Sequence, residues 1–339
     1  MMTADKYGSE AEPEPCEPGE SSRPGIFAAR DTASRLLCGL ERVLFGKREF
    51  LLRVLACLLA GGHVLVEDLP GLGKTSLAKG IAGLLANGDR PVLFRRIQFT
   101  PDLLPYDISG VDVFDPERRE FVFRPGPVFA NVVLADELNR ATPKVQSALL
   151  EVMAERQVTI GGRTHQLGAP FFVIATQNPV EFYGTYPLPL AQLDRFLMRL
   201  QVGYPDDAAE LEILKQDPEH TSLPSVEPIA TTDELLAAQL TARAVHVEES
   251  LLRAVVQISK ASRSHAVISY GVSPRGSLML PAAARAYALL SGRDYVIDQD
   301  LIDLAGDVMA HRIVVEDESR DARELIRELT YEAVENIHR

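Results

Sequence analysis

The chain has 339 residues, of which 46% are hydrophobic and 24% charged, so it has room for about two globular domains. Its net charge of −13 argues against non-specific binding to nucleic acid as its main role. Its three cysteines, at positions 16, 38 and 57, lack metal-like spacing, and their odd number argues against a disulfide framework and favours a cytoplasmic setting.

The N-terminal segment is acidic and poor in apolar residues. Residues 1–24 are rich in Pro, Glu, Gly and Ser, and contain six acidic residues against Lys6 and Arg23. We therefore predict a disordered acidic tail over 1–24. The segment lacks the basic-then-apolar order of a secretory signal. No membrane span is expected either, because the most apolar stretch, residues 51–66, contains Arg53 and His63.

Residues 25–204 predict an αβ domain. Helical periodicity covers residues 28–60, with a break near Phe45-Gly46, and short β-runs then alternate with helical patterns. Such alternation predicts an α/β fold with a doubly wound parallel sheet. The β-runs are His63–Glu67, Val92–Phe99, Asn131–Asp136, Phe171–Thr176 and Leu197–Val202.

Two further β-patterns interrupt this alternation, and a helical region follows it. The first pattern is Val111–Phe114 with Glu120–Arg124, and the second is Gln157–Ile160 with Thr164–Leu167. Both predict β-hairpins inserted into the αβ domain. Residues 205–339 predict a second, all-helical domain, with helices over 207–217, 231–242, 248–263, 276–291, 298–312 and 320–337.

The segment Glu67–Thr75, with the sequence EDLPGLGKT, predicts a phosphate-binding loop. A β-run enters it, and a helical pattern with Leu77, Ile81, Leu84 and Leu85 on one face leaves it, which is the context that such a loop requires. Its glycines let backbone N–H groups point at phosphate oxygens, while Lys74 adds a positive charge and Thr75 a ligand for Mg²⁺. The first glycine of the usual motif is replaced by Asp68. The loop residues predicted to bind the nucleoside triphosphate are Asp68, Pro70, Gly71, Leu72, Gly73, Lys74, Thr75 and Ser76.

Polar residues also end two of the other predicted strands. Asp136 and Glu137 follow the strand that starts at Asn131, and Asn178 comes just after the strand that starts at Phe171. Ligand sites in parallel sheets lie at the carboxyl ends of strands. We expect Asp136 to hold Mg²⁺, Glu137 to orient and deprotonate the attacking water, and Asn178 to fix that water or contact the γ-phosphate.

Two arginines complete the predicted set. Arg195 lies in the sequence Leu193-Asp194-Arg195-Phe196, and Arg275 follows Ser273-Pro274 in the helical region. Either side chain is suited to stabilise the charge of a transferring phosphoryl group. The ordered succession of these motifs, rather than any lone arginine, gives the prediction its weight.

This succession resembles the AAA+ ATPases and, more closely, their MoxR family, over residues 35 to 315. The MoxR-like sequences are EDLPGLGKT at 67–75, RIQFTPDLLP at 96–105, DELNRA at 136–141, YPLPLAQLDRF at 186–196 and SPR at 273–275. The resemblance implies that Lys74 and Thr75 are Walker A residues, that Asp136 and Glu137 are Walker B residues, and that Asn178 and Arg275 are sensors 1 and 2. It further implies an arginine finger at Arg195, a contact on the adenine side at Gly46, and hairpin inserts.

The resemblance also implies how the protein works. It indicates Mg²⁺-dependent hydrolysis of ATP in a homo-oligomeric ring, most often hexameric. Arg195 would reach into the neighbouring subunit. The expected role is chaperone-like, in the maturation or activation of a client protein that carries a von Willebrand factor A domain or a metal cofactor.

Three other readings of the sequence stay open at this point. A metal-chelatase motor subunit has nearly the same motifs. A nucleic-acid motor of the helicase type shares the hairpin inserts, although the acidic charge and the lack of basic–aromatic patches count against it. A ring that binds ATP without hydrolysing it is disfavoured by the presence of Glu137, Asn178 and Arg195.

Overall fold

The computed structural model describes residues 22–69, 71–88, 90–178, 184–218, 220–316 and 320–337. Nearly all of the predicted tail, and Pro70 of the predicted loop, lie outside these residues. The first helix begins at Ser22, within the last residues of the segment predicted as tail.

The described residues form helices and strands in the following order along the chain. The helices are α1 (Ser22–Glu41), α2 (Arg48–Leu59), α3 (Lys74–Gly83), α4 (Pro105–Ser109), α5 (Pro143–Glu155), α6 (Leu190–Leu193), α7 (Asp207–Gln216), α8 (Thr232–Ala244), α9 (Glu249–Ser264), α10 (Pro274–Leu290), α11 (Asp298–Met309) and α12 (Ala322–Glu335). The strands are β1 (Val64–Glu67), β2 (Leu85–Asn87), β3 (Arg90–Pro91), β4 (Phe94–Gln98), β5 (Gly110–Asp115), β6 (Glu120–Pro125), β7 (Val132–Asp136), β8 (Gln157–Ile160), β9 (Arg163–Gln166), β10 (Phe172–Gln177), β11 (Met198–Leu200), β12 (Ala230–Thr231), β13 (Ile268–Tyr270) and β14 (Val314–Val315). Short 3₁₀ turns cover Leu138–Arg140 and Ala310–Arg312.

The central sheet has five strands in the order β11-β1-β10-β7-β4, and each neighbouring pair is parallel. Its inner strands are continuously apolar because helices cover both faces. Alternate side chains enter two different cores. Val64 and Val66 pack with α1–α3, while Leu65 packs with α5 on the opposite face. The predicted doubly wound parallel sheet is confirmed, and its order places β10 between the strands that lead to the phosphate loop and to Asp136.

Helices α8–α12 form a helical lid that shares its apolar core with one face of the sheet. Within the lid, α10 packs against α11 and α11 against α12, and α10 also reaches α2. The lid was predicted, but its small strand pair β13–β14 was not. The three-stranded sheet β12-β2-β3 was missed as well. Its strand β2 begins at Leu85, so α3 ends at Gly83, earlier than the predicted helical face.

Both predicted hairpins are present, and they contact each other. One consists of β5 and β6, and the other of β8 and β9. The ring of Phe123 stacks on His165 at a centroid distance of 3.8 Å. At the tip of the first hairpin, Phe114 and Phe121 meet edge to face and are 50% and 63% exposed. The two hairpins therefore form one projecting unit with an aromatic tip.

None of the helices in the described part of the chain is both long and apolar enough to cross a lipid bilayer.

Candidate nucleotide-binding site

A cavity of about 500 Å³ opens at the carboxyl end of the central sheet. The segments after β1, β7 and β10 meet there, because parallel strands bring their carboxyl ends to one edge. The cavity is lined by all the described residues of the predicted phosphate-binding set, and by both predicted carboxylates and the predicted sensor. These residues are Asp68, Gly71, Leu72, Gly73, Lys74, Thr75, Ser76, Asp136, Glu137 and Asn178.

The loop between β1 and α3 has the backbone that a phosphate site needs. Gly73 caps α3 with a φ of +79°, and an added Cβ would lie 2.5 Å from Leu44 Cδ1, so a larger residue would be strained and would displace the Leu44 side chain. Lys74 begins the helix, and its Nζ donates to the carbonyl oxygens of Asp68 and Leu69, at 2.7 and 3.0 Å. Burial lowers the pKa of Lys74, while the nearby carboxylates act in the opposite direction. The helix N-terminus and Lys74 thus concentrate positive potential at the cavity.

Asp68 stands where the usual motif has glycine, and its contacts explain why it fits. Its Oδ2 accepts a hydrogen bond from Gly203 N at 2.7 Å, and its Oδ1 accepts one from Leu69 N at 2.9 Å. Its φ is not among the positive ones, so glycine is not required. The carboxylate therefore fixes the start of the loop to the segment after β11.

Asp136 and Glu137 are held at the end of β7 by Thr176. The Thr176 hydroxyl donates to Asp136 Oδ1 at 2.6 Å and accepts from Glu137 N at 2.9 Å. Glu137 adopts the left-handed conformation, with φ 57° and ψ 47°, so its side chain turns away from the direction of the strand. Asn178, at the end of the adjacent strand, is 7% exposed and also lines the cavity.

The hydroxyl of Thr75 and the carboxylate of Asp136 fit a Mg²⁺ ion. Both are hard oxygen donors, and Mg²⁺ is usually held by one or two carboxylates together with phosphate oxygens and water. Among the described residues, no group of three or more His, Cys, Asp or Glu side chains forms a protein-only metal site. Mg²⁺ bound with a nucleotide does not need such a group.

Two polar side chains of β4 belong to the site although the sequence did not predict them. Arg96 Nη2 donates to Asp136 Oδ2 at 2.6 Å and to Gln98 Oε1 at 2.8 Å. Gln98 Nε2 in turn donates to Glu137 Oε2 at 2.7 Å. Arg140 Nε forms an ion pair with the same Glu137 oxygen at 2.9 Å. Arg96 and Gln98 are two residues apart in β4, so their side chains lie on the same face of the sheet. Their contacts with Asp136 and Glu137 could be predicted only if β4 were known to lie beside β7.

Part of the cavity lining is apolar and suits a nucleotide base. It is formed before α2 and along α7, by Val43, Leu44, Phe45, Pro205 and Ile213. Gly46, predicted on the adenine side, is not among the described residues that line the cavity. Its φ is +66°, and an added Cβ would lie 2.5 Å from the Cβ of Ala209, so it allows the tight turn behind the base-binding wall.

Arg195 and Arg275 lie outside the cavity, together on what we call the arginine face. Arg195 precedes β11 at the amino end of the sheet, where Leu197 N donates to His63 O at 2.8 Å. Since β1 has four residues, the amino end of the sheet lies roughly 13 Å from the phosphate loop at its carboxyl end. Arg275 lies in the first turn of α10 and is exposed. Within the described part of the chain, neither guanidinium has a hydrogen-bond or ion-pair partner.

Comparison with known families identifies two segments of the chain. A family profile described as "ATPase family associated with various cellular activities (AAA)" matches residues 63–198, and a profile described as "AAA lid domain" matches residues 237–329. The first covers the central sheet up to the start of β11, together with the phosphate loop, Asp136, Glu137 and Asn178, and the second covers most of the helical lid. Neither reaches positions 204 and 205, so the predicted domain boundary there stays a prediction.

Three individual proteins are similar over most of the chain. YeaC of Bacillus subtilis is 46% identical, over 86% of this chain and 90% of its own length. Chaperone MoxR1 of Mycobacterium tuberculosis is 44% identical, over 86% of this chain and 78% of its own. The crystal structure of a Cytophaga hutchinsonii protein, at 36% identity, matches with a TM-score of 0.83 and covers 92% of this chain and 97% of that one.

Proposed function

This chain belongs to the MoxR family of AAA+ ATPases, and on that premise we propose that it couples Mg²⁺-dependent ATP hydrolysis, in a ring of like subunits, to the remodelling of a client protein. ATP hydrolysis follows from the family itself. The ring, the ion and the client are parts of the proposal.

The observation that carries the proposal is the convergence of Lys74, Asp136, Glu137 and Asn178 on one cavity. Lys74 would leave its loop carbonyls to neutralise the β- and γ-phosphates. Glu137 would accept the proton of the attacking water, and Asn178 would orient that water against the γ-phosphate. Mg²⁺, when bound by Thr75 and Asp136, would supply charge neutralisation between the phosphates. A cytoplasmic location is part of the proposal, since Cys38 and Cys57 are both free thiols.

A ring is proposed because neither arginine of the arginine face lines the cavity of its own chain. The described cations that line it are Lys47, Lys74 and Arg96, of which Lys47 is bonded to Tyr204 O and Arg96 to Asp136. An arginine from another subunit would add positive charge at the transferring phosphoryl group. We propose that Arg195 and Arg275 of one subunit act together at the nucleotide of the next. Such a head-to-tail contact closes into a ring, and a hexamer is the proposed size.

The client is proposed to bind where the two hairpins project. They contact each other at Phe123 and His165, and the tip of the first hairpin offers exposed apolar rings at Phe114 and Phe121. One relative is named a chaperone. From the family resemblance we propose a client with a von Willebrand factor A domain or a metal cofactor. Nucleic acid is not a proposed partner, because the chain is acidic overall.

Mixed rings test this proposal. Glu137→Gln fails at its own site, whereas Arg195→Ala fails at its neighbour's site. A ring that contains both variants has some interfaces with an intact Glu137 and an intact Arg195 opposite it. We expect ATPase activity to recover in part on mixing, relative to either variant alone at the same total concentration. The absence of recovery in rings shown to be mixed, or full activity of Arg195→Ala alone, would contradict action in trans and make Arg140 the next candidate.

The same Glu137→Gln protein also tests the client. Held in ATP, it should retain a client that it cannot release. Identifying what co-purifies with it, with Lys74→Ala as the control that should not assemble with ATP, would show whether the bound protein has the proposed features.

A further inference from the structure

Arg312 is the largest side chain that is fully buried in the described part of the chain. It lies in the 3₁₀ turn after α11, and its side chain is 1% exposed. Burial of a guanidinium is costly unless its donors are satisfied by nearby oxygens. The role of Arg312 therefore depends on which oxygens its guanidinium binds.

The oxygens around Arg312 belong largely to the turn that carries Arg195. Its Nε donates to Asp194 Oδ1 at 2.8 Å. Its Nη2 donates to the carbonyl oxygens of Asp194, at 3.3 Å, and of Phe196. Burial lowers the pKa of Arg312 to about 10, with Asp194 opposing that shift, so the side chain stays cationic at neutral pH. Arg312 thus binds the residues on both sides of Arg195 and leaves the Arg195 side chain itself free.

The second carboxylate oxygen of Asp194 reaches the other arginine. Ser273 Oγ donates to Asp194 Oδ2 at 3.3 Å and accepts from Gly276 N at 3.0 Å, so it is also the N-cap of α10. Arg275 lies in the first turn of that helix. Gly276 gives Arg312 its space, since an added Cβ would lie 2.7 Å from Arg312 Cδ. One carboxylate therefore joins the turn of Arg195, the start of α10 and the end of α11.

We propose that Asp194 and Arg312 form a clamp that positions Arg195 and Arg275 as one unit for the nucleotide of the neighbouring subunit. The inference rests on the proposed action of these arginines in trans. Asp194 and Arg312 are positioning residues, since they bind no nucleotide and act through the two arginines. A guanidinium that swings on an unfixed turn reaches the phosphoryl group in only a fraction of its conformations, and a misplacement of about 1 Å can cost about 100-fold in rate.

Asp194→Asn and Arg312→Met test the clamp with little change in side-chain volume. Each should lower kcat of the homomeric ring by about 10- to 100-fold. The KM for ATP and the affinity for ADP should change less than about threefold, because each chain's own cavity is intact. Mixing either variant with Glu137→Gln should restore activity, and mixing it with Arg195→Ala should not. A residue needed only for stability would not show this pattern of rescue by Glu137→Gln and lack of rescue by Arg195→Ala, which defines the complementation class of Arg195.

Asp307→Asn is the matched control. Asp307, like Asp194, is a carboxylate paired with arginine at a junction with the lid. It is held by Arg53 Nε and Arg323 Nη1, both at 2.8 Å, and it does not contact the arginine face. It should lower the thermal stability of the protein, while kcat per folded ring stays within about threefold of the parent.

A further variant separates positioning from stability. Ser273→Gly removes the hydroxyl that reaches Asp194 and costs the helix cap only a few tenths of a kcal/mol. It should lower kcat less than Asp194→Asn, in the same complementation class, and it serves as the test if the clamp variants do not fold. If Glu137→Gln rescues Arg195→Ala but neither Asp194→Asn nor Ser273→Gly, the clamp is wrong. If it does not rescue Arg195→Ala either, the proposed action in trans fails first, and the clamp fails with it.

Discussion

The nucleotide cavity and the arginine face both carry charged side chains, but they differ in whether those side chains are bonded within the chain. In the cavity the functional groups contact each other: Lys74 binds loop carbonyls, and Arg96 and Gln98 occupy the two acidic side chains. On the arginine face Arg312 binds the carbonyl oxygens of Asp194 and Phe196, on either side of Arg195, while both guanidinium groups have no partner in the described part of the chain. The polar groups of the cavity are therefore bonded to one another within one chain, whereas the two guanidinium groups of the arginine face are available to a neighbouring molecule.

The largest effect expected from that contrast is on the arginine face. Arg195→Ala should lower kcat by about 10³- to 10⁵-fold, the range measured for arginine fingers, because the transferring phosphoryl group loses its external cation. The affinity for ADP should be unchanged, since Arg195 does not line the cavity of its own chain. Steady-state ATPase assays and titration with a fluorescent ADP analogue measure the two quantities. A loss of ADP affinity with normal kcat would reverse the assignment of the two regions.

Inside the cavity, Glu137→Gln should lower kcat by about 10²- to 10⁴-fold, which is the usual contribution of a positioned general base. Glutamine has the same side-chain length as glutamate and can still form hydrogen bonds, so nucleotide binding should remain. Single-turnover hydrolysis by the purified variant gives the rate. A wild-type rate would remove Glu137 from the role of water activator.

Lys74→Ala should act on binding rather than on turnover alone. The β- and γ-phosphates lose charge-assisted hydrogen bonds of about 1.5–3 kcal/mol each, so the affinity for ATP should fall by roughly 100-fold or more. Calorimetric titration with a non-hydrolysable ATP analogue measures this. Lys79→Ala, an exposed lysine on the same helix, is the control that should leave the affinity within about twofold.

A smaller effect is expected where the loop departs from the usual motif. Asp68→Gly would restore the common sequence but remove the acceptor of the Gly203 and Leu69 N–H groups. The free energy of unfolding should fall by about 1–3 kcal/mol, because these N–H groups lose their partner. Denaturant unfolding without nucleotide measures it. An unchanged or higher stability would show that the carboxylate is not the anchor of the loop.

The smallest effect should come from the hairpin tip, which belongs to neither region. A Phe114→Ser, Phe121→Ser double variant should keep basal ATPase within about twofold, because the rings lie outside the cavity and are already exposed.

Duplex or single-stranded DNA should not stimulate the ATPase of the parent protein. Stimulation that falls steeply with added salt would instead point to binding through the hairpin arginines 118, 119 and 163 and favour a nucleic-acid motor.

The sequence predicted those features that local patterns record. Apolar runs gave all five strands of the central sheet, and turn residues gave both hairpins. The glycine-rich loop and the acidic strand end gave the phosphate-loop residues and the two carboxylates that line the cavity. Strand β14 has two residues, which is too short to show a period, so its pairing with β13 was missed.

The missed site residues depend on contacts between distant parts of the chain. Arg96 meets Asp136 only because β4 and β7 are neighbours in the sheet. Asp194 and Arg312 are 118 positions apart, and nothing around Arg312 in the sequence marks it as buried. A charged residue is expected on the surface when only the sequence is known. The burial of Arg312 depends on how the helical lid packs against the αβ domain, which the sequence does not show.

The left-handed backbone of Glu137 implies a trade-off between activity and stability at the centre of the site. That conformation favours glycine, or asparagine among larger residues, and disfavours a glutamate by about 1 kcal/mol or more. Glu137→Gly should therefore relieve strain and, on the role proposed for Glu137, greatly slow ATP hydrolysis. The protein is less stable than its own backbone would permit at this position. A search for stabilising substitutions guided by melting temperature alone would therefore favour replacing the residue that we propose activates the attacking water.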